Sequence, residues 1–394
     1  MTRVLFVHHT SFIGGGSYCL LNIIKVLDRQ YFEPLVLLRE EGTLAEELRK
    51  LDVNVIFFPQ METVPYNRSL LRRKSLHQYL RVFRSLSPFA KLLESIDADV
   101  LYLNNMMIYH YLSVAKKQGM KTVLHVREHW PLDEHKTQLR WAQNAVYKHA
   151  DKLVAINNYG ASMFPQKDAT IVYDWIDMDE RYKPMPMNDI FGEDMTDKKV
   201  FLYTGGIQNI KGAYEVVKTF CKKITNPSYR LLVLGFTKEL SGDGLIRIIK
   251  SILYRIGFPT YEYKVKMIVR SDKRVVCIPR VYEIKDIIEQ SCCMLSYFTI
   301  PHANLALAES IILGTPVIAA RTQESEEYSL DGELASLFEM NDIDDFEQAI
   351  RNFINNETEL RAELSHENRQ KIADMFSPQQ NAKRLNDTLK ELVK

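Results

Sequence analysis

Short apolar runs alternate with helix-patterned segments along this chain, and the alternation starts twice. The first series opens at residues 4–7, four apolar residues that lead through His8 to Gly14, Gly15 and Gly16. Leu20, Leu21, Ile23, Ile24 and Leu27 follow at helical spacing. Residues 35–38, 53–57, 100–103, 122–126, 153–156 and 170–172 read as further strands, and 44–51 as helix. The second series opens at 200–203 with Gly205 and Gly206 behind it, then continues through 231–234, 275–278, 293–296 and 316–320. Strands that alternate with helices need crossover connections, so they lie parallel in a sheet covered on both faces. Two such α/β domains suit a chain of 394 residues. Between the series, residues 179–199 are polar and carry prolines, which reads as a linker or domain edge. Ser377-Pro378 marks the start of a terminal helix with Leu385, Leu389 and Val393 as its apolar stripe.

Ligands of open parallel sheets sit beyond the carboxyl ends of the strands. Both glycine turns follow strands and precede helices, so both lie at such ends. There they are either plain tight turns or places where the backbone approaches a phosphate. A helix N-terminus with its unpaired N–H groups favours the anion. A dinucleotide fold is disfavoured, because Leu20 and Leu21 stand where the third small residue of its glycine fingerprint belongs, although Glu40 supplies an acid.

Composition narrows the classes further. A formal net charge of +1 creates no global field that would select nucleic acid or acidic partners. Five cysteines without a CxxC pair argue against a disulfide framework or a zinc site. The first apolar run is too short for a signal-peptide core, and no run reaches the roughly 18 residues of a membrane span. The expected location is the cytoplasm.

The stretch "PHANLALAESIILGTPVIAARTQESEEYSLDG" (301–332) resembles the signature of retaining glycosyltransferases of the family 4 type. Glu309, the run Gly314-Thr315-Pro316-Val317-Ile318-Ala319, Glu327 and Asp331-Gly332 stand in the family's order. "YTGGIQNIKG" is similar to the start of that family's second domain, "ATIVYDWIDMDERY" to the segment before its linker, and "HADKLVAINN" and "FIGGGSYCLLNIIKVL" to motifs of its first domain. The resemblance implies an α/β GT-B fold, two Rossmann-like doubly wound domains facing a central cleft. It implies an acceptor-side domain over residues 1–185, a nucleotide-sugar domain over 186–375, and a helix at 376–394 that packs back on the first. The implied activity is metal-independent transfer of a sugar from a UDP- or GDP-sugar to an acceptor hydroxyl, in cell-surface polysaccharide or glycolipid synthesis. No cofactor is implied beyond that donor.

The same resemblance assigns residues. Lys211 is the cation for the donor diphosphate, where negative charge grows as the sugar leaves. The backbone amides of Asn304 and Leu305 reinforce it, Glu309 accepts the ribose hydroxyls, and residues 278–280 meet the base. Gly205 and Gly206 form the turn on the donor side; Gly15 and Gly16 meet phosphate or acceptor from the first domain. Arg127 and Glu128 stand where the family often has a histidine and an acid, with His125 and His129 as alternatives. Two positions depart from the pattern. Pro301 stands where the family carries a second glutamate, eight residues before Glu309, and Gly206 replaces an arginine. Either Arg280 and His302 substitute, or the donor is unusual, or the chain is a catalytically weak or inactive nucleotide-sugar-binding partner subunit.

One more stretch stands out. Residues 67–86 interleave Arg68, Arg72, Arg73, Lys74, Arg81 and Arg84 with Leu70, Leu71, Leu76, Tyr79, Leu80 and Phe83. It reads either as an amphipathic helix with a solvated basic face or as a contact for anionic lipid headgroups or a lipid-linked acceptor, which would make the protein peripheral on the inner face of the cell membrane.

Overall fold

The computed structural model describes residues 1–65, 73–130, 136–178, 184–240, 250–253, 257–281 and 283–394. The chain divides into two compact units, Met1–Trp175 with Phe376–Lys394, and Ile176–Met375.

The first unit holds a seven-stranded sheet of β1 (Thr2–Val7), β2 (Phe32–Leu38), β3 (Asn54–Phe57), β4 (Val100–Leu103), β5 (Lys121–Val126), β6 (Lys152–Ala155) and β7 (Ala169–Ile171). Their order is β3-β2-β1-β4-β5-β6-β7, and every pairing is parallel. Side chains alternate across the sheet, so each strand feeds two cores. Leu5, Val7, Leu101 and Leu103 pack with α3 (Arg73–Ser95), α4 (Leu112–Lys117) and α5 (Lys136–His149) through Phe89, Leu112 and Ala142. Val4, Phe6, Val100 and Tyr102 pack on the other face with α1 (Gly15–Val26), α2 (Thr43–Lys50) and the terminal helix Pro378–Val393. Ser377 caps that last helix by accepting the Gln380 N–H. Its buried stripe is Leu385, Leu389 and Leu392, whereas Val393 is exposed. The expected third position is thus corrected by one residue, since steps of four and three keep to one helix face.

The second unit holds β8 (Lys199–Tyr203), β9 (Tyr229–Leu234), β10 (Val275–Ile278), β11 (Cys293–Ser296), β12 (Val317–Ala320) and β13 (Ser336–Phe338) in the order β10-β9-β8-β11-β12-β13, again all parallel. β13 was not expected. It is a three-residue edge strand with only Phe338 buried, too short to show a period. The reading of 179–199 as linker is corrected from residue 184 onward. Residues 187–191 are helical, and Met187 and Met195 are buried with Val200 and Leu202. The two methionines are apolar anchors in an otherwise polar stretch. Residues 179–183 lie outside the described residues.

In both sheets the chain changes direction between the first strand and its fourth, at β1/β4 and at β8/β11. That reversal separates the loops behind the two strands and opens a crevice at their carboxyl ends. Among the described residues no helix is long and apolar enough to cross a membrane.

Candidate functional site

In the second unit, the loops at the β8/β11 reversal carry the residues in question. Behind β8 come Gly205, Gly206 and Lys211; behind β11 come Phe298, His302 and Asn304. Gly205 and Gly206 have a local steric cause. A Cβ on Gly205 would lie 2.3 Å from the Tyr203 hydroxyl, and Gly206 has a φ of +66°. Gly206 donates its N–H to the Leu234 carbonyl at 3.1 Å, which ties the turn to the end of β9.

Lys211 ends a short 3-10 turn, and its ammonium lies 6.0 Å from the Phe298 ring centre. The His302 ring is 5.2 Å from that of Phe298. Burial, together with the Arg280 cation, lowers Lys211 below the ordinary lysine range. It makes no ion pair among the described residues. A half-buried ammonium beside a guanidinium attracts an anion.

The helix Leu305–Ile312 starts behind β11, and no side chain caps its N-terminus. The Asn304 amide group turns inward instead and donates to Ser296 Oγ at 2.7 Å. Glu309 is half-buried on this helix, and its carboxylate makes no hydrogen bond among the described residues. Burial pushes it up to about 7, against the opposing pull of the Lys285 ammonium. A carboxylate that has lost water without gaining donors is ready to accept hydroxyls.

The first unit has its own cluster at the β1/β4 reversal. His8 Nε2 lies 3.1 Å from both Ser17 Oγ and Thr10 Oγ1, and Asn104 Nδ2 lies 3.3 Å from His8 Nδ1. Burial keeps His8 well below the usual histidine range, so it is neutral. The glycine loop beside it is unlike that of the second unit. A Cβ on Gly14 or Gly15 would meet nothing within 4 Å, and one on Gly16 would make ordinary contact with His8 and Arg127. Among the described residues nothing demands glycine there.

Arg127 and Glu128 follow β5. The Arg127 guanidinium is 6% exposed and pairs with Asp174, while its second terminal nitrogen, Nη1, is buried without a partner among the described residues. Burial alone would lower its pKa, but Asp174, with Cys19 and Tyr102 adding to it, holds it above the usual value. Glu128 accepts the Met106 N–H at 2.7 Å, and burial pushes it up to about 7. The two alternative histidines are engaged: His125 Nδ1 meets the Tyr102 hydroxyl at 2.8 Å, and His129 stacks on Tyr159 with ring centres 3.8 Å apart.

The family described as "Glycosyl transferases group 1" matches residues 191–371, and the "Glycosyl transferase 4-like domain" matches residues 14–167. The chain carries a glycosyl transferase 4-like domain followed by a glycosyl transferases group 1 domain. Its solved structural neighbours share the fold over the whole chain. Anabaena HepE, solved with UDP and glucose, aligns with a TM-score of 0.72 at 16% identity, covering 99% of this chain and 100% of HepE. A glycosyltransferase from Rickettsia africae aligns at 0.72 and 15%, covering 100% and 99%. Sucrose-phosphate synthase from Thermosynechococcus elongatus aligns at 0.70 and 13%, also covering 100% and 99%. No curated protein matches the sequence. The fold is therefore GT-B.

The group 1 domain thus holds Lys211, Arg280, His302, Asn304, Leu305 and Glu309, with the Gly205-Gly206 turn. The 4-like domain holds Gly15, Gly16, Arg127 and Glu128. Sequence reasoning missed Asp174, Phe298 and the His8–Ser17–Asn104 network. His8 stands beside the first glycine loop, but nothing in the sequence pairs it with Asn104, 96 residues on. Among the described residues no group of three or more His, Cys, Asp or Glu side chains is placed to hold a metal ion.

Proposed function

We propose that the protein is a retaining, metal-independent glycosyltransferase that moves a sugar from a UDP- or GDP-sugar to an acceptor hydroxyl, in the synthesis of a cell-surface polysaccharide or glycolipid. The observation that carries this reading is the placement, at one sheet reversal, of an ammonium (Lys211) and a carboxylate (Glu309) that both lack an ionic or hydrogen-bond partner among the described residues. A nucleoside diphosphate sugar offers both complements, phosphate oxygens and ribose hydroxyls. As the glycosidic C–O bond breaks, charge grows on the leaving phosphate. Lys211, Arg280 and the amides of Asn304 and Leu305 are the donors that would stabilise it. In the first unit, Gly15 and Gly16 leave room for a ligand atom beside the helix N-terminus. Arg127 would offer its unpartnered nitrogen, and Glu128 would orient the sugar or the acceptor hydroxyl. Residues 67–86 would bring the enzyme to an anionic membrane surface, where a lipid-linked acceptor resides.

The test is transfer from a panel of UDP- and GDP-sugars, with NMR of the product anomer. Unchanged transfer by both Lys211→Ala and Glu309→Ala would remove the site assignment, and an inverted anomer would remove the retaining mechanism.

One observation favours a second reading, a partner subunit that binds donor without turnover. Gly206 sits in the left-handed region with its N–H bound to Leu234, so an arginine there would be strained. The family's cation at that position is absent by construction of the turn. Calorimetric binding of a donor with no transfer to any acceptor would select this reading.

A further inference from the structure

α3 and α5 flank a groove of about 600 Å³ on the first unit. Its walls are Leu76, Tyr79, Phe83 and Leu86 from α3 and Trp141 and Ala145 from α5, over a floor of Tyr109 and His110. Tyr79 and Trp141 meet edge to face across it, ring centres 5.3 Å apart. Burial pushes His110 down to about 3, so the floor is uncharged at neutral pH. The rim stays apolar in water: Phe83 is 69% exposed, Leu76 60% and Trp141 45%. Leu80, also on α3, is 47% exposed. Contiguous exposed side chains of this size mark a binding surface.

Charge says what kind. The described part of α3 carries Lys74, Arg81, Arg84 and Lys91 against one acid, Glu94, and α5 carries Lys136, Arg140 and Lys148 with no acid at all. Among the described residues, Arg81 alone of these has a carboxylate nearby, Glu62 at 3.4 Å. A second copy of the chain docking by the same face would set these cations against each other. A molecule with an apolar chain and an anionic head matches both features.

We propose that the groove takes the hydrocarbon chain of an anionic bilayer lipid, with the lipid phosphate held by the cations of α3 and α5. This rests on the membrane reading of residues 67–86 and adds an insertion site to it. Residues 67–72 lie outside the described residues and form no part of the site.

The experiment uses the full chain with phosphatidylglycerol vesicles, phosphatidylcholine vesicles, and phosphatidylglycerol vesicles brominated on the acyl chain. The wild type binds phosphatidylglycerol in preference, and brominated chains quench a fluorescence component that Trp141→Phe removes. Ala145→Trp, which fills the groove, and Phe83→Ser, on its exposed rim, each weaken vesicle binding about tenfold. Arg84→Glu and Lys148→Glu each cost about fivefold on phosphatidylglycerol only. Retained thermal stability of the variants shows that they fold. If the wild type binds no vesicle, the membrane reading and the insertion site both fall. If it binds, but bromine leaves Trp141 unquenched and both groove variants bind as the wild type does, the insertion site alone is overturned. A lipid-free dimer that Phe83→Ser dissociates also overturns it, in favour of a second copy.

Discussion

The Lys211 ammonium rests 6.0 Å from the Phe298 ring with no carboxylate to pair it among the described residues, although burial has already lowered its affinity for a proton. A structural lysine would have a partner; this one has an aromatic face and a neighbouring guanidinium. Lys211→Ala should therefore leave the unliganded protein as stable as the wild type or slightly more so. It should lose roughly 100-fold or more in turnover, the scale seen for one donor aimed at developing charge. Thermal melts with and without UDP and GDP separate the two effects: the ligand-induced rise in Tm shrinks while the ligand-free Tm holds.

Glu309 gives a pH test. Its folded pKa, about 7, lies above the ordinary glutamate value. Between those values the folded chain keeps a proton that the unfolded chain has released, so stability falls as pH rises through that window. Glu309→Gln should match the wild type near pH 5 and exceed it near pH 8. Donor binding should run the other way. Ribose hydroxyls need the ionised form, so wild-type affinity for a nucleotide sugar rises from pH 6 to 8, whereas Glu309→Gln binds weakly with a flatter profile. Denaturant melts and calorimetry at both pH values read the two trends.

The buried Arg127 guanidinium pairs with the half-buried Asp174. Asp174→Ala strands a guanidinium that stays charged, and such a break costs about 3 kcal/mol or more. Arg127→Met with Asp174→Leu removes both charges and should recover much of that loss. Urea melts test the pair. Transfer activity should stay low in the double variant, because the guanidinium that would face the ligand is gone.

The two glycine turns should respond oppositely to alanine. At Gly205 the new Cβ meets the Tyr203 hydroxyl at 2.3 Å, so Gly205→Ala should destabilise by about 1–3 kcal/mol. At Gly15 the space is open, and alanine at a helix start gains up to about 1 kcal/mol. Gly15→Ala should thus be neutral or stabilising, yet lower transfer if a phosphate or acceptor approaches that backbone. A Gly15→Ala protein with full activity would return that loop to a plain turn.

Much of the fold was legible in the residues themselves. The run 100–103 is apolar at every position because a strand buried on both faces leaves no polar side, and 100–103, 275–278 and 293–296 all recur with the same bounds in the structure. Ser377-Pro378 marked its helix because the hydroxyl and the missing N–H both suit a first turn. What failed was short or half-polar. β13 has three residues, and the helix Met187–Phe191 hides in a polar stretch with single methionines as anchors.

By itself, then, the chain's periodicity determined two parallel sheets that each begin with strand, glycine turn and helix, because hydrophobic spacing and backbone freedom are local properties. The glycines alone could not say which turn was built for the protein and which left space open; that depends on neighbours such as Tyr203. Tertiary structure also decided that Arg127 meets Asp174, 47 residues away, and that α3 and α5 leave an apolar groove between them. Pairings between distant side chains follow from how layers pack, and no local spacing encodes them.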